Sequence, residues 1–401
     1  MLSIRDPVHG FIRADDLEAA LLNSRPVQRL RFIHQLGFAF LVFPGAEHSR
    51  FSHVVGAMHL AGRLYDALCS KAEGLLPGGP RSPERRAIRA AALLHDIGHA
   101  PFSHSAEELF EGGIDHEEMT RRLLATPEIE AIFDRHGDGI GPEDVARLLR
   151  KEGGGPTERL LSQIISGELD VDKMDYLLRD SLFCGVSYGT YDLERLLDTV
   201  MPLADPDTGE WGIGVEEGGV HALEALVMAR YYMFTQVYFN ATGKALELHL
   251  NQWMKETGAL WSSDPDVFLT QDDISTWSAM RASGSLHAQA VVSRVHFPVA
   301  FETREHLTRE EKERFEALLP GLAERFGAGN LLLSNSAKDP HRMGHSRVLV
   351  RLWNGSLETM ERASQFIRHL SRIDRYRVYT PPPLRDPVAG ALRELWAAPG
   401  N

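Results

Sequence analysis

The sequence predicts a mainly α-helical protein with a small β-hairpin and a smaller C-terminal α+β unit. Apolar residues such as Val27 and Leu30 recur at helical spacing along much of residues 24–257. Strand-like alternation is confined to residues 204–216 and to short stretches after residue 330. So much helix beside so little strand is typical of a helical body with a small appended unit.

The predicted elements follow one another along the chain with loops between them. Helices are predicted at residues 24–37, 48–72, 83–98, 105–111, 115–125, 142–150, 171–182, 193–200 and 220–257. Strands are predicted within 204–216 as a hairpin and at 330–333, 347–353 and 376–379, with a helical segment near 356–371. We therefore divide the chain into a helical body, residues 1–290, and a C-terminal α+β domain, residues 291–401.

The composition indicates a folded protein and excludes several classes. Hydrophobic residues make up 43% of the 401 residues and charged residues 25%, which is the balance of a globular chain. The net charge of -13 argues against a broad basic surface, so we expect nucleic acid as a secondary partner at most, through residues 81–89. No secretory signal or membrane span is expected. Two cysteines fit a reducing compartment, so we expect a cytoplasmic protein.

The most informative stretch is LLHDIGHAPFSH, residues 93–104. It places an imidazole and a carboxylate side by side at His95 and Asp96, and a borderline divalent metal accepts both ligand types. Adjacent helical residues point about 100° apart. Both side chains therefore reach one ion only near a helix end, which Gly98 provides. The simpler alternative is that His95 caps the helix C-terminus and Asp96 is solvated.

Two further candidate ligands are distant in sequence. They are His53 in HSRFSHVVG and Asp172 in ELDVDKMDYLLRD. With His95 and Asp96 they make a set of two nitrogens and two oxygens, which leaves positions open for water and substrate, as in catalytic metal sites. The set suits Mn²⁺, Mg²⁺, Fe²⁺, Ni²⁺ or Zn²⁺. His59, on the same predicted helix as His53, is interpreted as a packing or surface residue.

Cations accompany the candidate ligands along the chain. Arg50 precedes His53 by three residues and so shares its helical face, and Lys173 directly follows Asp172. Arg230, in the last long predicted helix, would add a third positive charge. These cations indicate a site for phosphate groups, and the alternative is that they are ordinary surface residues.

The stretch from Asp172 to Asp180 is predicted to be a helix with one side facing the site. Asp172, Tyr176 and Asp180 are four residues apart each time, so they share that side. Asp175 and Arg179 also have helical i,i+4 spacing. We interpret those two as an ordinary surface ion pair.

These motifs resemble the HD-domain superfamily and, within it, the deoxynucleoside triphosphate (dNTP) triphosphohydrolases, a branch with bacterial members and a vertebrate member that also carries a SAM domain. The family's order is kept by DPVHG at 6–10, VQRLRFIHQLG at 27–37, VFPGAEHSRFSH at 42–53, LLHDIGHAPFSH at 93–104, DVDKMDYLLRD at 170–180 and residues 230–238. The resemblance covers about residues 1–260. A His-Asp pair alone would also fit nucleotidases, cyclic-nucleotide phosphodiesterases and guanosine-tetraphosphate hydrolases.

The resemblance implies a role for each matching residue. The metal ligands would be His53, His95, Asp96 and Asp172. The catalytic residues would be His104, which protonates the leaving 5′ oxygen, Glu107 and His116, which support it, and His99, which lies close to the phosphates. The substrate-binding residues would be Arg50, Lys173 and Arg230 for the triphosphate, Gln35, Tyr176 and Asp180 for the sugar around its 3′-hydroxyl, and Tyr238 for the sugar or base.

The activity implied by the resemblance is metal-dependent hydrolysis of a dNTP at its α-phosphorus, which releases a deoxynucleoside and inorganic tripolyphosphate. Oligomers are common for such helical bodies, so we expect a homo-oligomer, a dimer or a tetramer. Phe234 and Asn240 stand where the vertebrate relative has histidines, so we expect the positioning of the substrate to differ. Asn23 stands where regulated relatives have an aspartate that binds an activating guanine nucleotide, so we do not expect activation by a bound nucleotide. Two alternatives stay open: an HD-type nucleotide phosphatase or phosphodiesterase, and a nucleotide-sensing binding module without turnover.

Overall fold

Helices make up most of the protein, whose computed structural model describes residues 1–72, 74–79, 81–103, 109–150, 154–339 and 348–397. The helices are α1 (Asp16–Leu22), α2 (Arg25–Arg29), α3 (Arg50–Cys69), α4 (Pro83–Leu94), α5 (His116–Leu124), α6 (Pro127–His136), α7 (Pro142–Leu149), α8 (Pro156–Ser166), α9 (Val171–Cys184), α10 (Leu193–Thr199), α11 (Val220–Met233), α12 (Ala241–Thr257), α13 (Pro265–Phe268), α14 (Asp273–Ala282), α15 (Leu286–Val292), α16 (Arg309–Phe326), α17 (Met360–Ala363), α18 (Gln365–Arg368) and α19 (Arg385–Ala397). The strands are β1 (Leu2–Asp6), β2 (Gly10–Ala14), β3 (Val200–Ala204), β4 (Trp211–Glu216), β5 (Val299–Glu302), β6 (Leu332–Lys338), β7 (Leu349–Arg351), β8 (Leu357–Thr359) and β9 (Ile373–Tyr379). The predicted mainly α-helical class is confirmed.

The described residues divide into two compact units that interleave along the sequence. The first contains Met1–Met233, Trp261–Asp273 and the described part of His341–Leu370. The second contains Phe234–Leu260 and the described parts of Ile274–Pro340 and Ser371–Asn401. These units are defined by compactness in space and do not test the predicted domain boundary near residue 290, which stays a prediction.

Strands β1 and β2 form an antiparallel hairpin whose turn carries the DPVHG motif. Asp6 shapes this turn, because its Oδ1 accepts the backbone N–H groups of Val8 at 2.9 Å and of His9 at 2.8 Å. Gly10 completes the turn with a φ of 75°, which glycine adopts without the strain that a side chain would cause. The turn therefore presents His9 in a defined direction.

Helices α3, α4 and α9 form the centre of the first unit, where α3 packs against both others. Helix α4 starts with Pro83 at its first turn and with the Ser82 side chain accepting the Arg85 N–H, which is a favoured helix start. Helix α4 is rich in alanine, and Ala90 and Ala91 are fully buried. Small side chains let the helices lie close together, so residues at the end of α4 come near residues at the start of α3.

The turn after α4 is fixed by α5. Thr120 of α5 accepts the Gly98 N–H at 3.1 Å, and its hydroxyl lies 3.3 Å from the His95 carbonyl oxygen. A Cβ at Gly98 would lie 2.2 Å from the carbonyl oxygen of His116 and 2.5 Å from the Thr120 nitrogen. Both atoms belong to the backbone, so the space cannot open by a side-chain rotation. Gly98 is therefore required for the close approach of α5.

Replacing Gly98 with alanine should destabilise the protein by about 1–3 kcal/mol, the usual range for overpacking against backbone. The free energy of unfolding can be measured by urea denaturation in the presence of a chelator. The matched control is Gly243→Ala in α12, where an added Cβ meets nothing within 4 Å. Helix propensity favours alanine there, so the control should be neutral or stabilising. Equal effects of the two substitutions would contradict the packing argument.

A second sheet in the first unit has the strand order β3-β4-β7-β8. Its β3–β4 hairpin corresponds to the one predicted within 204–216, but the first strand begins earlier, at Val200. Strand β7 pairs in parallel with β4, with Val350 opposite Val215. The predicted strand at 347–353 therefore completes a sheet that begins about 150 residues earlier in the chain.

The second unit contains a three-stranded antiparallel sheet with the order β5-β9-β6. Helices α16 and α19 cover one of its apolar surfaces, with Phe315 and Leu392 in the shared core. Helix α12 contributes Ala245 to another cluster with Leu332 and Tyr379. This combination agrees with the α+β character predicted for the C-terminal residues.

Three predicted helical segments are wrong in part. The segment near 356–371 contains strand β8 and only the short helices α17 and α18. The predicted helix 220–257 is interrupted, because a π-helical turn, Phe234–Tyr238, follows α11 and the Asn240 side chain caps α12 by accepting the Thr242 N–H at 2.9 Å. The predicted helix 24–37 ends at Arg29, and Ile33 is extended. Within the described ranges, no helix is both long and apolar enough to cross a membrane.

Candidate metal centre and active site

Three of the predicted metal ligands converge within the first unit. The ligand atoms of His53 on α3, His95 at the end of α4 and Asp172 on α9 all lie within 4.8 Å of one another. His53 Nε2 lies 3.1 Å and His95 Nε2 3.7 Å from Asp172 Oδ1. Nitrogen and oxygen ligands bind divalent metals at about 2.0–2.2 Å, so neighbouring ligand atoms around one ion are separated by about 3–4 Å. The geometry of these three side chains fits that requirement.

Asp96 borders the same space. Its Oδ1 lies 3.3 Å from His95 Nε2, and its Oδ2 lies 3.8 Å from His53 Nε2. The Arg50 guanidinium donates a hydrogen bond to the same carboxylate. Asp96 is thus shared between the ligand cluster and a predicted phosphate-binding cation.

Both histidine rings are oriented by contacts through Nδ1. His53 Nδ1 lies 2.8 Å from Asp175 Oδ2, and His95 Nδ1 lies 2.8 Å from the Ala92 carbonyl oxygen. Both Nε2 atoms are buried and make no aligned hydrogen bond to the described residues. A buried polar atom left unsatisfied costs about 1–3 kcal/mol. A divalent cation between these atoms and the carboxylates would satisfy both, so the donor set fits a metal ion.

The electrostatics of the cluster favour a bound cation. Burial alone lowers the pKa of His53, but the neighbouring carboxylates of Asp172 and Asp175 outweigh it and raise that pKa to about 10. Burial likewise opposes ionisation of Asp172, but His53 and His95 outweigh it and hold the pKa of Asp172 below its ordinary value. Protons and metal ions therefore compete for the same negatively charged space.

Two of the predicted phosphate-binding cations, Arg50 and Lys173, make defined contacts. Arg50 is buried, and its Nε donates to Ser103 Oγ at 3.1 Å in addition to its bond with Asp96. Lys173 donates from Nζ to the Gly167 carbonyl oxygen at 2.8 Å and to the carboxylate of Asp170. Burial raises the pKa of Asp170 to about 6 despite the Lys173 charge.

Arg230 and Tyr176 lie together in the interior of the first unit. Arg230 is 5% exposed, and its charge acts on the hydroxyl of Tyr176. Burial raises the pKa of Tyr176, and the Arg230 charge opposes this rise only in part. Tyr176 therefore stays a neutral hydroxyl group near neutral pH.

Of the predicted sugar-binding residues, Gln35 and Asp180 are linked through His48. Asp180 Oδ1 lies 2.8 Å from His48 Nε2, and the Gln35 N–H donates to the His48 carbonyl oxygen at 3.0 Å. The His48 ring stacks on Phe183 with centroids 4.6 Å apart. The sequence interpretation missed His48, although it lies in the same HSRFSH stretch as Arg50 and His53. Tyr238 belongs to the π-helical turn of the second unit.

The described catalytic candidates lie beside the ligand cluster. His99 Nε2 is 3.8 Å from Asp96 Oδ1, and the rings of His99 and His116 make an edge contact with centroids 4.3 Å apart. The other two candidates, His104 and Glu107, lie outside the described residues. The structure thus brings two of the four catalytic candidates to one edge of the centre.

The backbone between His99 and residue 104 is held in an unusual conformation. Phe102 and Ser103 have φ angles of 55° and 60°, which residues with side chains rarely adopt. Asp273 accepts the Phe102 N–H at 2.8 Å, and Arg29 Nη1 donates to the His99 carbonyl oxygen at 2.9 Å. These contacts maintain the strained turn, and such strain is concentrated at functional sites.

The interpretation of Asp175 and Arg179 as a surface pair is wrong. Both side chains have no exposed area, and Asp175 contacts the metal-ligand candidate His53 directly. Burial opposes ionisation of Asp175, but Arg179 and hydrogen bonds from Arg179, His53 and His9 hold its pKa well below the ordinary value. The i,i+4 spacing of the two residues does not by itself distinguish a buried pair from an exposed one.

Family models match nearly the whole chain after its first fifty residues. A model of the HD domain matches residues 50–180, and a model of the HD associated region matches residues 192–397. The chain belongs to the HD-domain phosphohydrolase family. Residues 50–180 of this HD-domain phosphohydrolase contain the complete set of predicted metal ligands, and HD domains bind divalent metals.

Three individual proteins that are similar to this chain match between about two thirds and nearly all of its length. YwfO, an uncharacterized protein of Bacillus subtilis, is 39% identical over 274 residues, which are 66% of this chain and 59% of that protein. A deoxynucleoside triphosphate triphosphohydrolase SAMHD1 homolog of Dictyostelium discoideum is 31% identical over 289 residues, which are 67% of this chain and 53% of that protein. The crystal structure of a phosphohydrolase from Bacteroides thetaiotaomicron is 25% identical with a TM-score of 0.74, and the match covers 94% of this chain and 99% of that one. This HD-domain phosphohydrolase spans between 53% and 59% of the length of the first curated relatives it matches.

Proposed function

We propose that this HD-domain phosphohydrolase cleaves deoxynucleoside triphosphates into a deoxynucleoside and inorganic tripolyphosphate with the help of a divalent metal ion. The observation that carries the proposal is the row of Asp172, Tyr176 and Asp180 along α9. In this row the carboxylate of Asp172 faces the metal centre, and the Tyr176 hydroxyl and the Asp180 carboxylate can hydrogen bond to hydroxyl groups of a substrate. It suits a substrate whose reacting phosphate is joined to a sugar. The name of the Dictyostelium relative supports the choice of a dNTP.

The cations around the centre suit the triphosphate. A guanidinium group has five N–H donors, and the contacts of Arg50 with Asp96 and Ser103 use only some of them. The other donors suit phosphate oxygens. Lys173 and Arg230 add positive charge beside the same helix, and together the three cations offset the charge of the bound triphosphate.

The reaction needs a nucleophile and a proton for the leaving oxygen. A divalent ion supplies Lewis-acid stabilisation of the phosphate and activation of a water molecule when it is bound. The water oxygen bonds to the α-phosphorus, and the bond from that phosphorus to the 5′ oxygen breaks. His104 donates a proton to the 5′ oxygen, with His116 and Glu107 in support and His99 hydrogen bonding the phosphates. A histidine suits this role because it changes charge near neutral pH.

The test is incubation of the purified protein with each dNTP and Mn²⁺ in ¹⁸O-labelled water. The expected products are a deoxynucleoside and tripolyphosphate, identified by mass spectrometry, with the label in tripolyphosphate only. Parallel reactions contain nucleoside monophosphates and cyclic nucleotides. Orthophosphate or pyrophosphate as the sole inorganic product would contradict the proposal, and turnover of only the parallel substrates would favour the phosphatase or phosphodiesterase alternative. If the protein bound dNTPs but did not hydrolyse them with any of the metals tested, the result would favour the nucleotide-sensing binding module.

Replacing Asp180 with asparagine should lower kcat/KM for dNTPs about 10- to 100-fold, because a site built to bind a substrate hydroxyl loses that contact. The loss should be much smaller for dideoxynucleoside triphosphates, which lack the 3′-hydroxyl. The affinity for Mn²⁺ should not change, since Asp180 is not part of the ligand cluster. An equal loss for both substrate types would contradict the sugar-binding role of Asp180.

We also propose that the protein acts in the cytoplasm as a homo-oligomer, a dimer or a tetramer. Sedimentation velocity measures the assembly directly. Sedimentation at the mass of a single chain would contradict this proposal.

A further inference from the structure

The carboxylate of Asp175 is the centre of a buried network in the first unit. Its Oδ1 accepts from His9 Nε2 at 2.7 Å and from Arg179 Nη2 at 2.8 Å. Its Oδ2 accepts from His53 Nδ1 at 2.8 Å and from Arg179 Nε at 2.8 Å. An ionised carboxylate has about four lone-pair sites. Every one of them is used, so the position of Asp175 is fixed on all sides.

One consequence of this network is the orientation of His53. An ionised carboxylate accepts hydrogen bonds and cannot donate them, so the proton between Asp175 and His53 lies on His53 Nδ1. His53 Nε2 then faces Asp172, whose Oδ1 is 3.1 Å away, and is the ring nitrogen left for a metal ion. A flipped ring would lose the contact with Asp175 and turn a carbon atom toward the metal centre.

The close approach of α9 to α3 depends on Gly56. A Cβ at this position would lie 1.9 Å from Asp175 Oδ1 and 2.3 Å from Arg179 Nη2. Gly56 is three residues after His53 and lies on the same side of α3. The missing side chain leaves the space in which Asp175 reaches the His53 ring.

The network continues into the N-terminal hairpin. Arg179 Nη1 donates to Asp6 Oδ2 at 2.9 Å, while Asp6 Oδ1 accepts the His9 N–H in the turn. The side chains of His9 and Asp6 are only 2% and 4% exposed. The DPVHG motif thus supports Asp175 twice, directly through His9 and indirectly through Asp6 and Arg179.

We propose that Asp175 is the positioning residue of the metal centre: it holds His53 with Nε2 toward the cation, and Arg179 and His9 hold Asp175 in place. Asp175 touches neither the metal nor the substrate and acts through His53. Such outer carboxylates orient a histidine ligand and increase its basicity. The inference rests on the metal centre of the proposed function and is independent of the substrate.

The direct test measures binding of Mn²⁺ alone to the full-length, metal-free Asp175→Asn variant, with free Mn²⁺ quantified by electron paramagnetic resonance. The expected result is a dissociation constant about 10- to 100-fold higher than that of the wild type. The matched control is Asp66→Asn, which removes a carboxylate from the same helix as His53. Asp66 accepts two hydrogen bonds from Arg85, at 2.7 and 2.8 Å, far from the ligands. The control should bind Mn²⁺ like the wild type.

A second variant separates positioning from stability. Asp175→Asn leaves the buried Arg179 with Asp6 as its remaining carboxylate partner, whereas the triple variant Asp6→Asn with Asp175→Asn and Arg179→Met removes the buried cation together with both of its carboxylates. The triple variant should regain stability against urea and still bind Mn²⁺ weakly. A merely structural role predicts instead that metal affinity recovers together with stability. Wild-type affinity for Mn²⁺ in either folded variant overturns the proposal.

A third measurement needs no substitution of Asp175. In histidine-labelled wild-type protein loaded with Mg²⁺, ¹⁵N magnetic resonance should show the His53 proton on Nδ1, with the signal assigned by its loss in His53→Gln. A proton on Nε2 would overturn the proposal. None of these readouts involves nucleotide turnover. An absence of tripolyphosphate would refute the proposed function and leave this inference intact.

Discussion

Replacing His53 with glutamine should weaken Mn²⁺ binding by more than about 100-fold, beyond the loss typical for an outer-shell residue, and should nearly abolish phosphohydrolase activity. The bound metal contributes several kcal/mol of transition-state stabilisation. At 1.36 kcal/mol for each tenfold change in rate, this corresponds to a loss of about 10³-fold or more in kcat/KM. Both effects have one cause, because His53 Nε2 is a central ligand atom of the cluster.

The measurement combines Mn²⁺ titration with a tripolyphosphate assay on the same preparation. His221→Gln is the matched control, because the side chain of His221 is 95% exposed. It should leave both quantities unchanged. If His53→Gln retained wild-type affinity for Mn²⁺, the assignment of His53 as a ligand would be wrong.

Replacing Arg179 with methionine should destabilise the protein by about 3–5 kcal/mol, the usual cost of removing one partner of a buried ion pair. The Arg179 side chain has no exposed area, and it neutralises both Asp175 and Asp6. Methionine keeps much of the volume, so the loss comes chiefly from buried carboxylates that lack a cation. Urea unfolding with a chelator present measures the effect without a contribution from metal binding.

The matched control for Arg179 is Arg309→Met. Arg309 pairs with Glu313 on α16 at the same four-residue separation, but its side chain is 90% exposed. Exposed pairs contribute little to stability, so this control should hardly change the urea midpoint. A loss in Arg179→Met no larger than in the control would show that the buried network is not needed for the fold.

Candidate metal ligands could be chosen from the sequence because their chemistry is local. His95 and Asp96 are adjacent, and a glycine ends the helix near them. The His53 stretch and the Asp172 stretch each place a ligand beside a cation. Imidazole and carboxylate groups beside cations favour a metal site that also binds phosphate groups. The structure brings His53, His95 and Asp172 together.

The role of Asp175 could not be predicted in the same way. An Asp and an Arg four residues apart have the same pattern on an exposed helix and on a buried one. Whether the pair is buried depends on the α3 surface that α9 packs against, and there the absence of a side chain at Gly56 makes room for it. The residue pattern of α9 does not show which residues of α3 it packs against.

Capping and pairing explain the other differences. The apolar spacing of 220–257 continues through Asn240, but the side chain of Asn240 accepts backbone N–H groups and starts a new helix there. The pairing of β7 with β4 joins Val350 to Val215, which are too far apart for local turn signals to relate. Such pairings are set by the packed sheet and not by the strands' own residues.

The bond between Asp6 and Arg179 spans 173 positions of the chain. During synthesis on the ribosome, the first ten residues emerge long before α9 exists, so the DPVHG turn has no buried cation to bind. Closing so long a loop costs conformational entropy that only the packed helices offset. A nascent chain that ends before α9 therefore lacks both Asp172 and the support for His53, so we expect tight metal binding only after α9 has left the ribosome and packed against α3.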